Sequence, residues 1–179
     1  VLVREGEERF VVHGVPCYWT AFNLERGDYD ATAEFRDTFN YGIQGPNSLK
    51  VLDALADHSL RDVGFMRSGP IEIAGVDVTA VRFGMSGEVG FELHGPGEHS
   101  ENVWEAILEA GEAYGIRRLS SGTSSINQLE AGIPSRVRDF VSAIFGDEMA
   151  DYRAYLRENQ QRDLITHAVE GSFEGDDIS

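Results

Sequence analysis

Between residues 71 and 83 the sequence reads IEIAGVDVTAVRF, with apolar and polar residues alternating on both sides of Ala74-Gly75. Period-two alternation interrupted by a short turn specifies two antiparallel strands that each bury one face. The hairpin is read over 71–74 and 76–83. Further strands are read over 9–13 (RFVVH), 41–44 and 90–94, the second ending at Gly45-Pro46. Pro46 sits where a first helical turn tolerates it, and Leu49, Leu52 and Leu55 follow at three-residue steps. Ser100 is placed to cap a helix that carries Val103, Trp104, Ile107, Leu108 and Ala110 on one face and closes near Gly115. A helix over 147–160 puts Met149, Tyr152, Tyr155 and Leu156 on one stripe, whereas 18–24 (YWTAFNL) reads equally as helix or strand. Residues 170–179 lack apolar mass and are expected to fray. Hairpins mixed with a few helices define an α+β fold, a mostly antiparallel sheet with flanking helices.

Composition narrows what such a fold does. At 179 residues the chain suits one large or two small domains and can bury about 70% of its unfolded surface. No apolar run approaches the roughly 20 residues of a membrane span, and no signal-peptide pattern opens the chain. It starts at Val1 without methionine, from which upstream sequence is expected. Cys17 is the single cysteine, so no internal disulfide forms, and a reducing, cytoplasmic setting is expected. The net charge is −16, which disfavours nucleic acid and anionic membrane surfaces as partners. Lys50 is the only lysine among 15 basic residues. Acidity with arginine in place of lysine points to a halophilic setting, where concentrated salt screens self-repulsion; an ordinary acidic protein is the alternative.

The common catalytic signatures are absent from the sequence: there is no dinucleotide fingerprint, phosphate loop, CxxC or HExxH. GMSGE lacks the glycine spacing of a nucleophile elbow. His13, His58, His94, His99 and His167 are scattered; His94 and His99 can meet across a turn, but a metal needs a further ligand, and none is expected. Cys17, beside Tyr18 and Trp19, reads as a packing residue. The run RFGMSGEVGFELHGPGE (82–98) is the exception, because glycine weakens a strand and needs a reason. Alternation sends Phe91 and Leu93 to one face, Glu92 and His94 to the other. Glu92 is then either a solvated strand carboxylate or an acceptor for paired N–H donors of a flat heterocycle, which Gly87 and Gly90 would let approach.

In order along the chain, YGIQGPNSLKVLDAL, VRFGMSGEVGFELHGP and VWEAILEAGEAYGIRRLSSGTSSINQLEAGIP resemble the glycine cleavage T-protein (aminomethyltransferase) family over about 9–134. Met85, where aminomethyltransferases have tyrosine, and the continuation through GDEMADYRAYLRE and EGSFEGDDIS look most like tetrahydrofolate-dependent aryl O-demethylases. The resemblance implies a folate-binding α+β fold with tetrahydrofolate as cofactor, and a tetrahydrofolate-binding core over 1–140. It implies a helical extension over 141–179 leading towards further domains of the same polypeptide. It assigns Glu92 to the pterin ring, and Arg82, Gly84, Met85, Gly87 and Gly90 to the glycine-rich turn of the cofactor site. Gln44, Gly45 and Pro46 match a loop that opens a helix beside the core, and Leu129 to Gly132 match the segment before the next crossing. Ser124 and Ser125 stand where aminomethyltransferases carry an Arg-Asp pair, and Ser124 also where demethylases carry tyrosine. No catalytic residue is assigned within this chain.

Two functions follow from the resemblance. The first is the tetrahydrofolate-binding part of a transferase of one-carbon metabolism, which moves a methyl or aminomethyl group from a small-molecule donor. The second is a non-catalytic folate-binding regulatory or assembly module on the same fold. Arg82, Arg117 and Arg118 either meet the anionic folate tail or pair with nearby acids.

Overall fold

A computed structural model describes residues 2–14, 16–135, 139–140 and 143–159. The chain forms two compact units, residues 35–140 and residues 1–34 with 141–179. The first 34 residues cluster with the segment after 140.

The unit over 35–140 is built on a four-stranded antiparallel sheet of β3 (Thr38–Gln44), β6 (Gly90–Pro96), β5 (Val76–Val81) and β4 (Ser68–Ile73), in that spatial order. The 71–83 alternation forms its hairpin as expected, with Ile73 opposite Val76. The turn has Ala74 at φ 51° and Gly75 at φ 76°. Positive φ at both central residues matches the right-handed twist of the strands that they join. One face carries Phe39, Ile43, Ile71, Ile73, Val76, Val78, Ala80, Phe91 and Leu93 into a core with Val51 and Leu52 of α2 (Ser48–Leu55) and Val103 and Ile107 of α3 (Ser100–Gly111). Leu52, Ile73, Ala80, Leu93 and Val103 are wholly sealed from solvent. Each large apolar side chain buried this way contributes about 1.5–3 kcal/mol.

Local details depart from expectation. Pro46 lies in the turn before α2, whose N-cap is Asn47. Ser100 is the first residue of α3 rather than its cap, since a short 3-10 turn, Gly97–His99, leads into the helix. The Ser100 carbonyl instead accepts a 2.9 Å hydrogen bond from the Tyr41 hydroxyl, tying β3 to the helix start. The helix closes as expected through a 3-10 turn to Gly115, at φ 72°. A helix not expected from periodicity, α4 (Ser121–Glu130), follows. Its signal is the cap: Ser120 Oγ accepts from the Thr123 amide at 3.2 Å.

In the other unit, β1 (Leu2–Arg4) pairs antiparallel with β2 (Phe10–Val12), and 18–24 is resolved as helix within α1 (Pro16–Arg26). The stripe on 147–160 is that of α5 (Ala150–Asn159), preceded by a 3-10 turn over Asp147–Met149. Tyr152, Tyr155 and Leu156 pack with Ala21 and Phe22, and Met149 lies against them. Arg26 stacks over the Phe22 ring at 3.9 Å and approaches Asp151 at 3.8 Å. Burial pushes the Tyr152 phenol up to about 12 and raises the Cys17 thiol, consistent with a packed, unreactive cysteine. Residues 170–179 lie outside the described residues. Among those described, five helices and two antiparallel sheets make the α+β fold expected, and no helix is long and apolar enough to cross a membrane.

Candidate functional site

The second face of the four-stranded sheet is polar. Register sets Glu92 opposite Gly42 on β3 and Val81 on β5, and His94 opposite Asn40 and Thr79. Opposed residues share a face, so Asn40, Gly42, Gln44, Thr79 and Val81 surround the two side chains that β6 sends away from the core. Gly42 is exposed, and no side chain there stands between Glu92 and the space above β3.

Glu92 is only partly solvated, and one of its oxygens is unsatisfied. Its side chain is 21% exposed, and Oε2 is sealed from solvent without a hydrogen-bond donor. A buried carboxylate oxygen that lacks a donor carries a desolvation penalty that a ligand N–H removes. The His94 ring lies beside it, with Nε2 at 3.5 Å from that oxygen, and His94 is itself buried. Ser86 Oγ, in the loop leading into β6, is a second buried polar atom without a hydrogen bond.

The glycine run serves that loop. A methyl group on Gly90 would lie 3.0 Å from Gln44 Cγ, 3.1 Å from the Phe83 carbonyl oxygen and 3.2 Å from Gly84 Cα. The Gln44 Oε1 that crowds Gly84 accepts the Met85 amide at 2.9 Å. Ser48 Oγ and the Gly45 amide both donate to the Val89 carbonyl at 2.9 Å. The loop over 84–89 is therefore folded onto the end of β3, with Gly84 and Gly90 giving room for the Gln44 carboxamide. A methyl group on Gly87, at φ 74°, would lie 3.1 Å from the Ala131 methyl just past α4.

These contacts sort the residues proposed from sequence. Gln44 draws Gly84, Met85 and Gly90 together beside the start of the Glu92 strand; a glutamine at the end of a strand gave no sequence signal for that role. Arg82 is turned elsewhere: its guanidinium donates to the Val63 carbonyl at 2.9 Å. Arg117 donates to the Ile116 carbonyl, and Arg118 sits 5.5 Å from the Trp104 ring centre. Ser124 is half-buried in the first turns of α4, seven residues, or about 10 Å of helix, before the Ala131 that a methyl on Gly87 would meet. Among the described residues no three His, Cys, Asp or Glu side chains are grouped to hold a metal ion.

With this geometry in view, comparison with known proteins is decisive for family. Residues 9–149 match the GCVT N-terminal domain. The chain belongs to that family. It is 31% identical over 167 residues to a syringate O-demethylase from a Sphingobium species, an alignment covering 87% of this chain and 36% of that protein. It is 36% identical over 110 residues to an aminomethyltransferase from Caldanaerobacter subterraneus, covering 61% and 27%. A sesamin methylene transferase from a Sinomonas species is 33% identical over 124 residues, covering 66% and 27%. The chain thus spans 36% or less of the length of these three relatives.

Proposed function

We propose that this chain is the tetrahydrofolate-binding part of a one-carbon transferase, of the aminomethyltransferase or O-demethylase kind. The observation that carries the reading is the Glu92 carboxylate, half-buried on the polar face with a sealed oxygen that has no hydrogen-bond donor. A fused heterocycle that offers adjacent N–H groups suits it, because two such bonds to a charged acceptor fix both affinity and orientation. Family membership and the names of the relatives support the same reading.

Bound tetrahydrofolate would supply the atom that carries the one-carbon unit. The work left to the protein is to hold the ring edge, orient the two reactants and exclude water, rather than to move many protons. Glu92 would hold the ring edge. The 84–89 loop, braced by Gln44 and Ser48, forms a firm margin at the start of the Glu92 strand, with Met85 and Gly87 on it. Ser124 on α4 is assigned to the same site. Arg82, Arg117 and Arg118 are engaged with a carbonyl, a carbonyl and an indole, so a folate tail draws on them only by displacing those contacts. The donor is a small methylated or aminomethyl compound, and other domains of the same polypeptide complete the cleft.

Ser124 and Ser125, in place of the Arg-Asp pair of aminomethyltransferases, favour a second reading as a non-catalytic folate-binding module. Titration of the full-length protein with tetrahydrofolate tests the binding that both share: saturable binding weakened by Glu92→Gln supports it, and binding indifferent to Glu92 refutes it. One-carbon transfer to tetrahydrofolate from methoxy-aromatic or aminomethyl donors then separates enzyme from module.

A further inference from the structure

The approach between Glu92 and His94 carries an inference that goes beyond this reading while resting on it. Both side chains leave β6 on the polar face, and His94 is the more deeply buried, with its side chain 4% exposed. Its Nε2 lies 3.5 Å from Glu92 Oε2. That oxygen is sealed, so the 21% of the Glu92 side chain that remains exposed lies elsewhere in the group. Asn40, Gly42, Thr79 and Val81, directly opposite on β3 and β5, carry no charge, and Gln44 and Gly90 at the end of the same face are also neutral. The nearest ionisable neighbour on that face of β5, Asp77, is exposed.

A ring nitrogen that turns its lone pair on a carboxylate oxygen repels it, and one that carries a proton attracts it. The spacing is slightly longer than a formed hydrogen bond, and the terminal torsion of glutamate is broad, so a small rotation closes it. We propose that His94 is a positioning residue: its Nε2–H holds Glu92 Oε2, so the carboxylate meets the N–H edge of a folate-type ring already oriented. A carboxylate ordered beforehand loses less freedom when the ligand arrives, and each of its oxygens has acceptor sites for two donors.

The test is calorimetric titration of the full-length protein with tetrahydrofolate, across wild type, His94→Phe, His94→Gln, Glu92→Gln and the Glu92→Gln/His94→Phe pair. His94→Phe keeps a flat ring without a donor and should weaken binding about tenfold, the lower range for one hydrogen bond to a charged acceptor. His94→Gln restores an N–H and should stay within about threefold of wild type on the same scale. The double variant should bind no more weakly than Glu92→Gln alone, because His94 acts through Glu92. In the ligand-free protein with ¹⁵N-labelled histidine, the resonances that disappear in His94→Gln should show Nε2 protonated. Wild-type affinity in His94→Phe, equal losses in the Phe and Gln variants, additive losses in the pair, or an unprotonated Nε2 would each overturn the proposal; the last reading needs no variant to bind. Normal binding by Glu92→Gln sinks the role of Glu92 itself, and His94 falls with it. Weak binding by Glu92→Gln beside normal binding by both His94 variants sinks only the positioning role.

Discussion

Gly90→Ala tests why the glycine run exists. The added methyl would sit 3.0 Å from Gln44 Cγ and 3.1 and 3.2 Å from backbone atoms of Phe83 and Gly84. Gln44 is held by the Met85 amide and cannot swing aside without leaving that donor unpaired, so the backbone must shift. Overpacking of this kind costs about 1–3 kcal/mol. Alanine returns roughly 0.5–1 kcal/mol over glycine in a strand, through lower chain entropy. The net expectation is a loss of about 0.5–2 kcal/mol, the two ranges subtracted end for end. Gly42→Ala is the matched control on the neighbouring strand and the same face. Its methyl would meet only Gln44 Nε2, at 3.6 Å, an ordinary contact, so stability should stay level or rise slightly. Urea denaturation followed by Trp104 emission in a Trp19→Phe background reports the unit that holds the sheet, since the chain has 2 tryptophans. A Gly90→Ala protein as stable as the parent, or a Gly42→Ala protein equally weakened, would mean that the loop does not close on Gln44 as described.

Two further outcomes follow from electrostatics. The Asp57–His58 hydrogen bond lowers the Asp57 carboxyl and raises the His58 imidazole from their ordinary values. Stabilisation from the carboxyl is therefore lost as pH falls through its depressed value, and that from the imidazole as pH rises through its raised value above about 6.5. The difference in thermal midpoint between wild type and Asp57→Asn should be largest near pH 5–6 and shrink towards pH 8, as that linkage requires; a constant difference over this range would refute the pairing. With a net charge of −16, the thermal midpoint should also climb from about 0.1 to 3 M sodium or potassium chloride as the screening length falls. A flat or falling curve would end the halophile reading.

Legibility followed periodicity. IEIAGVDVTAV and the 149/152/155/156 stripe announce their elements because one face of each is buried, and burial writes a repeat into the sequence. Helix α4 has no buried residue among SGTSSINQLE, with Ile126 and Leu129 more than half exposed, so no stripe marked it and only its serine cap did. The first 34 residues join the segment after 140 through Phe22, Tyr152 and Tyr155, a pairing of distant segments that local pattern does not encode. At the site, alternation alone sent Glu92 and His94 to the face away from the core. The purpose of the glycines was not readable: it depends on Gln44, some 40 residues earlier, folding its carboxamide between them. That the Arg82 guanidinium donates to the Val63 carbonyl, 19 residues earlier, is likewise not written in local spacing.

The measurement that bears most directly on the account is the affinity of the full-length protein for tetrahydrofolate, by calorimetry, with Glu92 and with glutamine in its place. Glu92→Gln keeps the shape and one acceptor oxygen and removes the charge, so folding should be nearly unchanged. Binding should weaken by about 1.5–3 kcal/mol, the range for a hydrogen bond to a charged group, or roughly 10- to 150-fold. Equal affinity of the two proteins, or no binding by either, would contradict the assignment of this sheet face to the cofactor.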